Sequence, residues 1–178
     1  MHDEMFWFAA ALFGSCSGLI VAAAVVGGVL NLVLARGQAV TVRCRFARPP
    51  AEVWAVLADF AEHPSWRSDV DAVERRPDRG GREVWAETDG EFTAELCTEV
   101  AEAPRRLVRV RSGSSDGRRW EWQISPVGTG SLVAVTETDG NASGLGRLLG
   151  EPIIRRHRLV RQLRELGAKL GVPAELTE

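Results

Sequence analysis

The sequence has no tyrosine and only three cysteines in 178 residues, and these shortages limit the chemistry it can perform. Without a phenol, no tyrosine hydroxyl is available as an acid. The cysteines, Cys16, Cys44 and Cys97, form no CxxC pair, and together with three histidines they show no metal-ligand spacing. An odd, sparse cysteine count is typical of a reducing compartment without structural disulfides. Neither a metal nor a cofactor is predicted.

Charge is absent from a long N-terminal stretch, because the thirty-one residues from Met5 to Ala35 include no charged side chain. A bilayer core needs about 20 apolar residues in a helix, so this run predicts a tail and one transmembrane helix over residues 1–36. The residues before it are acidic and the run is about twice the length of a signal-peptide core, which argues against a secretory signal. A cleaved signal and a buried core helix are the alternatives.

The charges on either side of this run predict its orientation. Asp3 and Glu4 precede it, whereas arginines follow it at positions 36, 43, 45 and 48. By the positive-inside rule the C-terminal side is cytoplasmic, so we expect a single-pass protein of the cell membrane whose soluble domain faces the cytoplasm. Gly14 and Gly18 form a small-xxx-small pattern that indicates a homodimer seam; alternatively, glycine is simply common in membrane helices.

The rest of the chain is nearly balanced in charge. All twenty-two lysines and arginines lie after the apolar run, as do twenty-two of the twenty-four acidic residues. A neutral domain argues against nucleic-acid binding. A basic stretch near the C-terminus predicts contact with anionic lipid or, alternatively, a solvated helix face, and its proposed contacts are Arg155, Arg156 and Arg158.

Alternation and turn signals outline one domain over residues 40–171, between a short linker (37–39) and a C-terminal tail (172–178). Val40 to Phe46 alternates like a half-buried strand, and Pro50 suits the first turn of a helix. Asp59 is expected to cap a second short helix. Asp89-Gly90 is the best hairpin signal among several strand-like segments, and an apolar stripe on a long final helix is formed by Leu159, Leu163, Leu166 and Leu170.

This order of segments predicts an α+β fold. Sequential hairpins make a bent antiparallel sheet of about six or seven strands, with two short helices after the first strand. The final helix must bury its apolar stripe against the concave face of that sheet. A sheet wrapped around one helix leaves a cleft between them, and such clefts bind apolar molecules.

Several segments carry a family resemblance. The run from Phe46 to Asp59 contains Pro-Pro-Ala-Glu-Val-Trp and is followed by His63-Pro64-Ser65-Trp66-Arg67; later, a Gly128-Thr129-Gly130-Ser131 turn precedes Thr136-Glu137. Over roughly residues 39–171 the chain resembles the SRPBCC superfamily, the START/Bet v 1-like proteins that include the polyketide cyclase/dehydrase and lipid transport proteins. The resemblance implies a helix-grip fold with a deep hydrophobic cavity, found in carriers, cyclases and sensors alike. The predicted N-terminal transmembrane helix is a departure from the commonest form of this superfamily, which is soluble.

Aromatic and apolar side chains are the candidates for the cavity wall. Trp120 and Trp122 share one strand face, Phe92 and Leu96 share another, and Trp66 lies in a segment of the resemblance where it could gate the cavity mouth. Such residues would hold a flat or lipid-like ligand by contact area and stacking. Plain core packing is the alternative for each, and which face Trp85 occupies stays open.

Glu137 is the polar candidate, because the resemblance often places a polar residue inside the cavity on this strand. A buried carboxylate there could bind a ligand hydroxyl or act as a base with a raised pKa. A solvated strand face is the alternative.

We therefore expect a membrane-anchored module that binds a lipid or another hydrophobic small molecule, without catalytic residues. One alternative is a cyclase- or dehydratase-like enzyme in the same cavity, with Glu137 or a histidine as its base. The other is a non-catalytic regulatory or interaction protein tethered to the membrane.

Overall fold

The computed structural model describes residues 39–113, 117–139 and 147–177. The predicted membrane helix over residues 1–36 and the predicted dimer seam at Gly14 and Gly18 lie outside these ranges. Within the ranges, no helix combines the length and the apolar character that a bilayer crossing requires.

The elements follow the predicted order of one strand, two short helices, a series of antiparallel strands and a long helix. Their bounds are β1 (Ala39–Phe46), α1 (Pro50–Ala58), a 3-10 helix (Phe60–Ser65), β2 (Ala72–Arg79), β3 (Arg82–Asp89), β4 (Phe92–Glu102), β5 (Arg106–Ser112), β6 (Arg119–Val127), β7 (Gly130–Thr138), α2 (Arg147–Leu170) and β8 (Glu175–Thr177).

The strands form one sheet in the order β2-β3-β4-β5-β6-β7-β1-β8, and neighbouring strands are antiparallel. The helix-grip architecture is thus confirmed, but the expected count of six or seven strands is too low. The eighth strand lies in the segment 172–178, which was expected to be a C-terminal tail outside the domain. Its three residues pair with Arg43–Arg45 of β1, so the free edge of β1 orders them although they carry no alternation of their own.

The first strand shows why the sequence folds this way locally. Val42, Cys44 and Phe46 are buried, whereas Arg43 and Arg45 are exposed, as the period of two requires. β1 pairs with β7 along its whole length. The apolar face of β1 therefore lies in the core and its arginines lie outside.

The two short helices follow β1 directly. Pro50 occupies the first position of α1, and Val53 and Leu57 are buried. The second helix is a 3-10 helix that contains Pro64 rather than ending before it. Asp59 makes no side-chain hydrogen bond to its N-terminus, so the prediction that Asp59 caps this helix is wrong.

The long helix α2 packs its leucine stripe against the sheet. Leu159, Leu163 and Leu166 are almost fully buried, and they share one core with residues of β1, β6 and β7, among them Val42 and Val135. This confirms the predicted stripe. Pro152 lies inside the helix; a proline removes one backbone donor at such a position.

Candidate functional site

A cavity of about 190 Å³ lies between strands β3–β6 and α2. One wall is apolar, because β4 contributes Phe92, Ala94 and Leu96 and β6 contributes Trp120 and Trp122. These residues alternate along their strands, so each set points to the same face. The remaining lining is mostly polar, with charged side chains from β3, β5 and the segment that precedes β2.

A second depression of about 570 Å³ adjoins this cavity. It is bordered by Ile154, His157 and Arg161 of α2, and it shares Asp69, Asp89 and Arg158 with the cavity. The shared residues make the depression the outer part of one site, so a ligand longer than the inner cavity has room to extend into it.

The polar side of the cavity is built around Glu87 of β3. Arg109 of β5 donates from Nη1 to Oε1 of Glu87, and Arg67 donates from Nη1 to Oε2 across 3.1 Å. Arg67 also forms a two-pronged ion pair with Asp69, in which Nε–Oδ1 and Nη2–Oδ2 are both 3.0 Å. Two guanidinium groups and two carboxylates therefore form one partly or fully buried cluster, which we call the Glu87 cluster.

His63 joins this cluster from the 3-10 helix. Its Nε2 lies 3.1 Å from the carbonyl oxygen of Leu57, and because a carbonyl can only accept, we assign the ring proton to Nε2. Nδ1 is then free to accept from Nη1 of Arg67 at 3.3 Å. Burial lowers the pKa of His63, and the charge of Arg67 adds to this effect against the opposing influence of Glu87. His63 is therefore neutral at neutral pH.

Burial and charge act in opposite directions on the acids of the cluster. Burial alone would raise the pKa of Glu87, but neighbouring His63 and the charges of Arg109 and Arg67 together hold that pKa well below its ordinary value. His63 Nδ1 is 3.6 Å from Oε1 of Glu87, too far for a strong hydrogen bond, so the two arginines carry most of the effect. Burial would likewise raise the pKa of Asp69, but the hydrogen bonds and the charge of Arg67 outweigh burial and lower that pKa.

Arg109 is the most deeply buried charge that lines the cavity, with an exposed fraction of 1%. Its guanidinium carbon lies 4.0 Å from the centre of the Phe60 ring, a stacking arrangement that arginine favours. Burial lowers its pKa, and Glu87 opposes that shift. Only Nη1 is engaged: within the described part of the chain, Nε and Nη2 of Arg109 have no hydrogen-bond acceptor.

A second ion-pair group lies beside the cavity. Glu137 of β7 is fully buried, and Nη2 of Arg158 from α2 lies 2.6 Å and 2.8 Å from its two carboxylate oxygens. Arg118 Nε is 3.7 Å from the same carboxylate. The interpretation of Glu137 as part of a solvated face is therefore wrong, because Glu137 is a buried acid that forms an ion pair with Arg158.

The structure separates the six residues predicted for the site. Leu96, Trp120 and Trp122 lie in the lining, as does Phe92, which is 81% exposed and thus sits at the rim. Trp66 is not in the lining; its ring stands edge-on to His63, with 5.3 Å between ring centres. Glu137 lies behind the wall, with Arg158 between it and the cavity. Ligand contact by any of the six stays a prediction.

The face of Trp85, left open by the sequence, is settled by its contacts. Its ring packs on Phe60 with 5.9 Å between ring centres, and it belongs to the edge of the core. Glu87, two residues later on β3, points to the same side. Because the sequence left the face of Trp85 open, this shared side became a signal for Glu87 only after the structure had placed the tryptophan.

The arginines of the site were missed because charged residues were interpreted as solvated. On β5, Arg109 is in phase with Leu107, which is buried in the core, but Val108 on the opposite face is fully buried too, so alternation gives this arginine no direction. Arg67 lies in a turn where no periodicity applies. In the described ranges, no group of three or more histidines, cysteines or acids is arranged to hold a metal ion.

The predicted basic face of α2 needs a correction. Arg155 is only 3% exposed, because it stands four residues before Leu159 and so shares the inward stripe of the helix. Arg158 is held by Glu137. Arg156 alone of the three is exposed as predicted, so membrane contact through this face stays a prediction that must rest on Arg156.

In the comparison with protein families, the family described as "Polyketide cyclase / dehydrase and lipid transport" matches residues 37–170. The chain belongs to this family. The match spans the whole sheet except β8, and α2 to its last residue. The match to the polyketide cyclase/dehydrase and lipid transport family thus covers every element that surrounds the cavity. None of the curated proteins matches the chain.

Solved structures show the same fold at low sequence identity. A START superfamily protein from Mycobacterium smegmatis has a TM-score of 0.65 at 12% identity, over 75% of this chain and 97% of that one. The Zhui aromatase/cyclase from a Streptomyces species has a TM-score of 0.59 at 16% identity, over 75% and 93%. The di-domain ARO/CYC protein BexL has a TM-score of 0.61 at 17% identity, over 90% of this chain and 57% of that one.

Proposed function

We propose that this family member is a membrane-anchored module that binds a hydrophobic small molecule in the cavity between β3–β6 and α2. The observation that carries the proposal is the apolar wall made by Leu96, Trp120 and Trp122 beside an open outer depression. Small-molecule sites usually combine apolar and aromatic surface with fixed polar groups, and here five apolar residues face ten polar ones.

The size of the wall sets the expected affinity. A two-ring aromatic molecule that buries roughly 200 Å² of apolar surface gains about 5 kcal/mol, part of which is offset by the loss of its freedom on binding. Since about 5 kcal/mol alone corresponds to about 0.2 mM, a Kd of about 1 mM or weaker follows for a simple apolar probe. Tighter binding requires polar contacts in addition.

Two substitutions of alanine by tryptophan on β4 test this binding. Ala94 lines the cavity, whereas Ala101 is exposed on the same strand. We expect 2-naphthalenemethanol to bind the full-length protein in detergent, measured by calorimetry against a detergent blank. A94W should weaken binding about tenfold or more, because an indole fills the cavity, and A101W should leave the Kd unchanged. Equal heats from both variants would show that the probe binds elsewhere.

Membrane anchoring is proposed from the uncharged run of residues 5–35, which is long enough to span a bilayer, with the following domain on the cytoplasmic side. After expression in bacteria, the full chain should stay in the membrane pellet through an alkaline carbonate wash, and a chain that begins at residue 37 should not. Release of the full chain by carbonate would contradict the anchor. If the domain lies on the cytoplasmic side, protease added to spheroplasts should leave it intact.

A cyclase-like activity in the same cavity is the second candidate, since two of the solved structures with this fold are named aromatase/cyclases. The carboxylate best placed for it is Glu87, which lines the cavity. A carboxylate held ionised by two arginines is a weak base, so the binding function is favoured. Conversion of a poly-β-carbonyl thioester with loss of water, followed by mass spectrometry and abolished in Glu87→Gln, would reverse that preference.

A further inference from the structure

We propose that an apolar rim around the cavity opening inserts into the surface of the bilayer, so that the cavity opens toward lipid. The rim consists of Phe92, Ile153 and Ile154, which are all exposed. This inference rests on the proposed membrane anchor and binding function. It narrows the ligand to molecules that partition into a bilayer, because an opening covered by lipid receives its ligand from lipid.

The rim contains three of the five large apolar side chains that are exposed among the described residues. Phe92 lines the inner cavity, Ile154 lines the outer depression, and Ile153 precedes Ile154 on α2. The cavity and the depression share Asp89 and Arg158, so Phe92 and Ile154 border one opening from the sheet and from the helix. Single exposed apolar residues are common on proteins, but a group of them around an opening marks an interaction site.

The rim lies at the end of the sheet where the described chain begins. Ala39, the first residue of β1, pairs with Thr138, the last residue of β7. Because the strands are antiparallel in the order β4-β5-β6-β7-β1, the first residue of β4, Phe92, lies at the same end. Ile154 shares the outer depression with Asp89, the last residue of β3, so the rim residues of α2 are at this end too.

The uncharged run argues for lipid, rather than another protein, as the partner of this rim. The run ends at Ala35, four residues before Ala39, and four extended residues reach about 14 Å. In an anchored protein, the end of the sheet that carries the rim is therefore the end attached to the membrane. Apolar side chains near arginines bind stably at the boundary between headgroups and acyl chains, and the rim has this composition.

Charge alone would not hold the rim on a membrane. Arg156 and Arg161 are exposed on the helix side of the opening, whereas Asp89 and Glu91 are exposed on the hairpin side. Since the two signs balance, the attraction to anionic lipid is small, and insertion of the three apolar side chains supplies most of the binding. The contact predicted from the sequence relied instead on the basic stretch of α2.

The test places a photo-crosslinking residue at the rim of the full-length protein. Phe92→p-benzoylphenylalanine and Ile154→p-benzoylphenylalanine are each reconstituted in phosphatidylcholine nanodiscs, irradiated and analysed by mass spectrometry. We expect phospholipid adducts at both positions. Val127 is the matched control, because it is exposed but is the last residue of β6, roughly 26 Å along the strand from the end that carries the rim. Val127→p-benzoylphenylalanine should give at least about tenfold less adduct.

A second comparison separates insertion from mere closeness to the membrane. With the crosslinking residue at position 92, I153S/I154S should lower the adduct about tenfold, because two of the three apolar side chains are lost. V127S/L176S removes the two exposed apolar side chains outside the rim and should leave the adduct within about twofold. All four positions are exposed, and substitutions at such positions usually change stability little. Replacing about a third of the lipid with phosphatidylglycerol should change the adduct less than about threefold.

Several results would overturn the inference. They are equal adducts at positions 92 and 127, an adduct at position 92 that I153S/I154S does not lower, or adducts to a second copy of the chain or to residues 5–35 instead of lipid. A rise of about tenfold with phosphatidylglycerol would assign the contact to the basic residues. None of these results decides the proposals beneath it, because the carbonate wash tests the anchor and the 2-naphthalenemethanol titration tests the binding function.

Discussion

Arg158 of α2 forms an ion pair with Glu137 of β7, in which Nη2 lies 2.6 Å and 2.8 Å from the two carboxylate oxygens. The pair ties the long helix to the sheet beside the cavity, and it does so with an acid that has no exposed surface. Because Arg158 also lines both the cavity and the outer depression, the same contact positions the helix wall of the site.

Removal of Arg158 should therefore destabilise the domain. Among the described residues, R158M leaves Glu137 buried with Arg118 as its remaining arginine, at 3.7 Å, and breaking a buried pair costs about 3–5 kcal/mol. Since the Arg158 side chain is 30% exposed, we expect a smaller loss of about 2 kcal/mol in the free energy of unfolding, measured with urea. Arg156 is exposed on the same helix, so R156M should change the free energy of unfolding by less than about 0.5 kcal/mol. Equal losses would contradict this role.

His63 should make the stability of the domain depend on pH. Its pKa is lowered by burial in the folded protein and is about 6.5 when unfolded, so below pH 6.5 the unfolded chain binds more protons. Stability is then complete above pH 6.5 and is lost as the pH falls toward the folded pKa, by at most about 1.4 kcal/mol per pH unit. The measurement is urea unfolding at pH 7.5, 6.5 and 5.5.

Histidine variants check that assignment. H63Q should flatten the dependence between pH 7.5 and 5.5, because the amide can still donate to the carbonyl of Leu57 but does not titrate. H157Q, at an exposed position, should leave the wild-type dependence intact. A slope that survives in H63Q would assign the titration to another group.

The turn between β6 and β7 should distinguish two glycines two residues apart. A Cβ on Gly130 would lie 2.3 Å from the carbonyl oxygen of Phe46, whereas one on Gly128 would meet nothing within 4 Å. Gly128 has φ +60, so G128A costs only the left-handed conformation, about 1–2 kcal/mol. G130A must displace backbone and should cost clearly more, measured as the difference in urea midpoints. The reverse order would show that the β1–β7 edge adjusts easily.

Much of the fold could be predicted because its signals are local. The alternation of β1, the Asp89-Gly90 turn between β3 and β4, and the stripe of α2 each lie within a few residues of sequence. β8 could not be found this way, because its order comes from pairing with β1 more than a hundred residues earlier. A three-residue segment has no period from which to infer a strand.

The site was predicted on its apolar side and missed on its polar side for a related reason. Trp120 and Trp122 identify a face by their own spacing, but Glu87 and Arg109 stand 22 residues apart on non-adjacent strands and become a buried pair only when the sheet brings them together. A charged residue alone predicts solvent exposure. Its partner, which makes burial tolerable, is visible only in the fold.

Leu163 should carry a large share of the stability that holds α2 over the cavity. Its side chain is almost fully buried among residues of the sheet, and truncation of a buried leucine costs about 2–5 kcal/mol. Ile154 is on the same helix but 66% exposed, so I154A should cost less than about 0.5 kcal/mol. Urea unfolding of L163A and I154A measures both. A small loss in L163A would mean that the helix is held chiefly by its ion pairs, and R158M would then be the more damaging change.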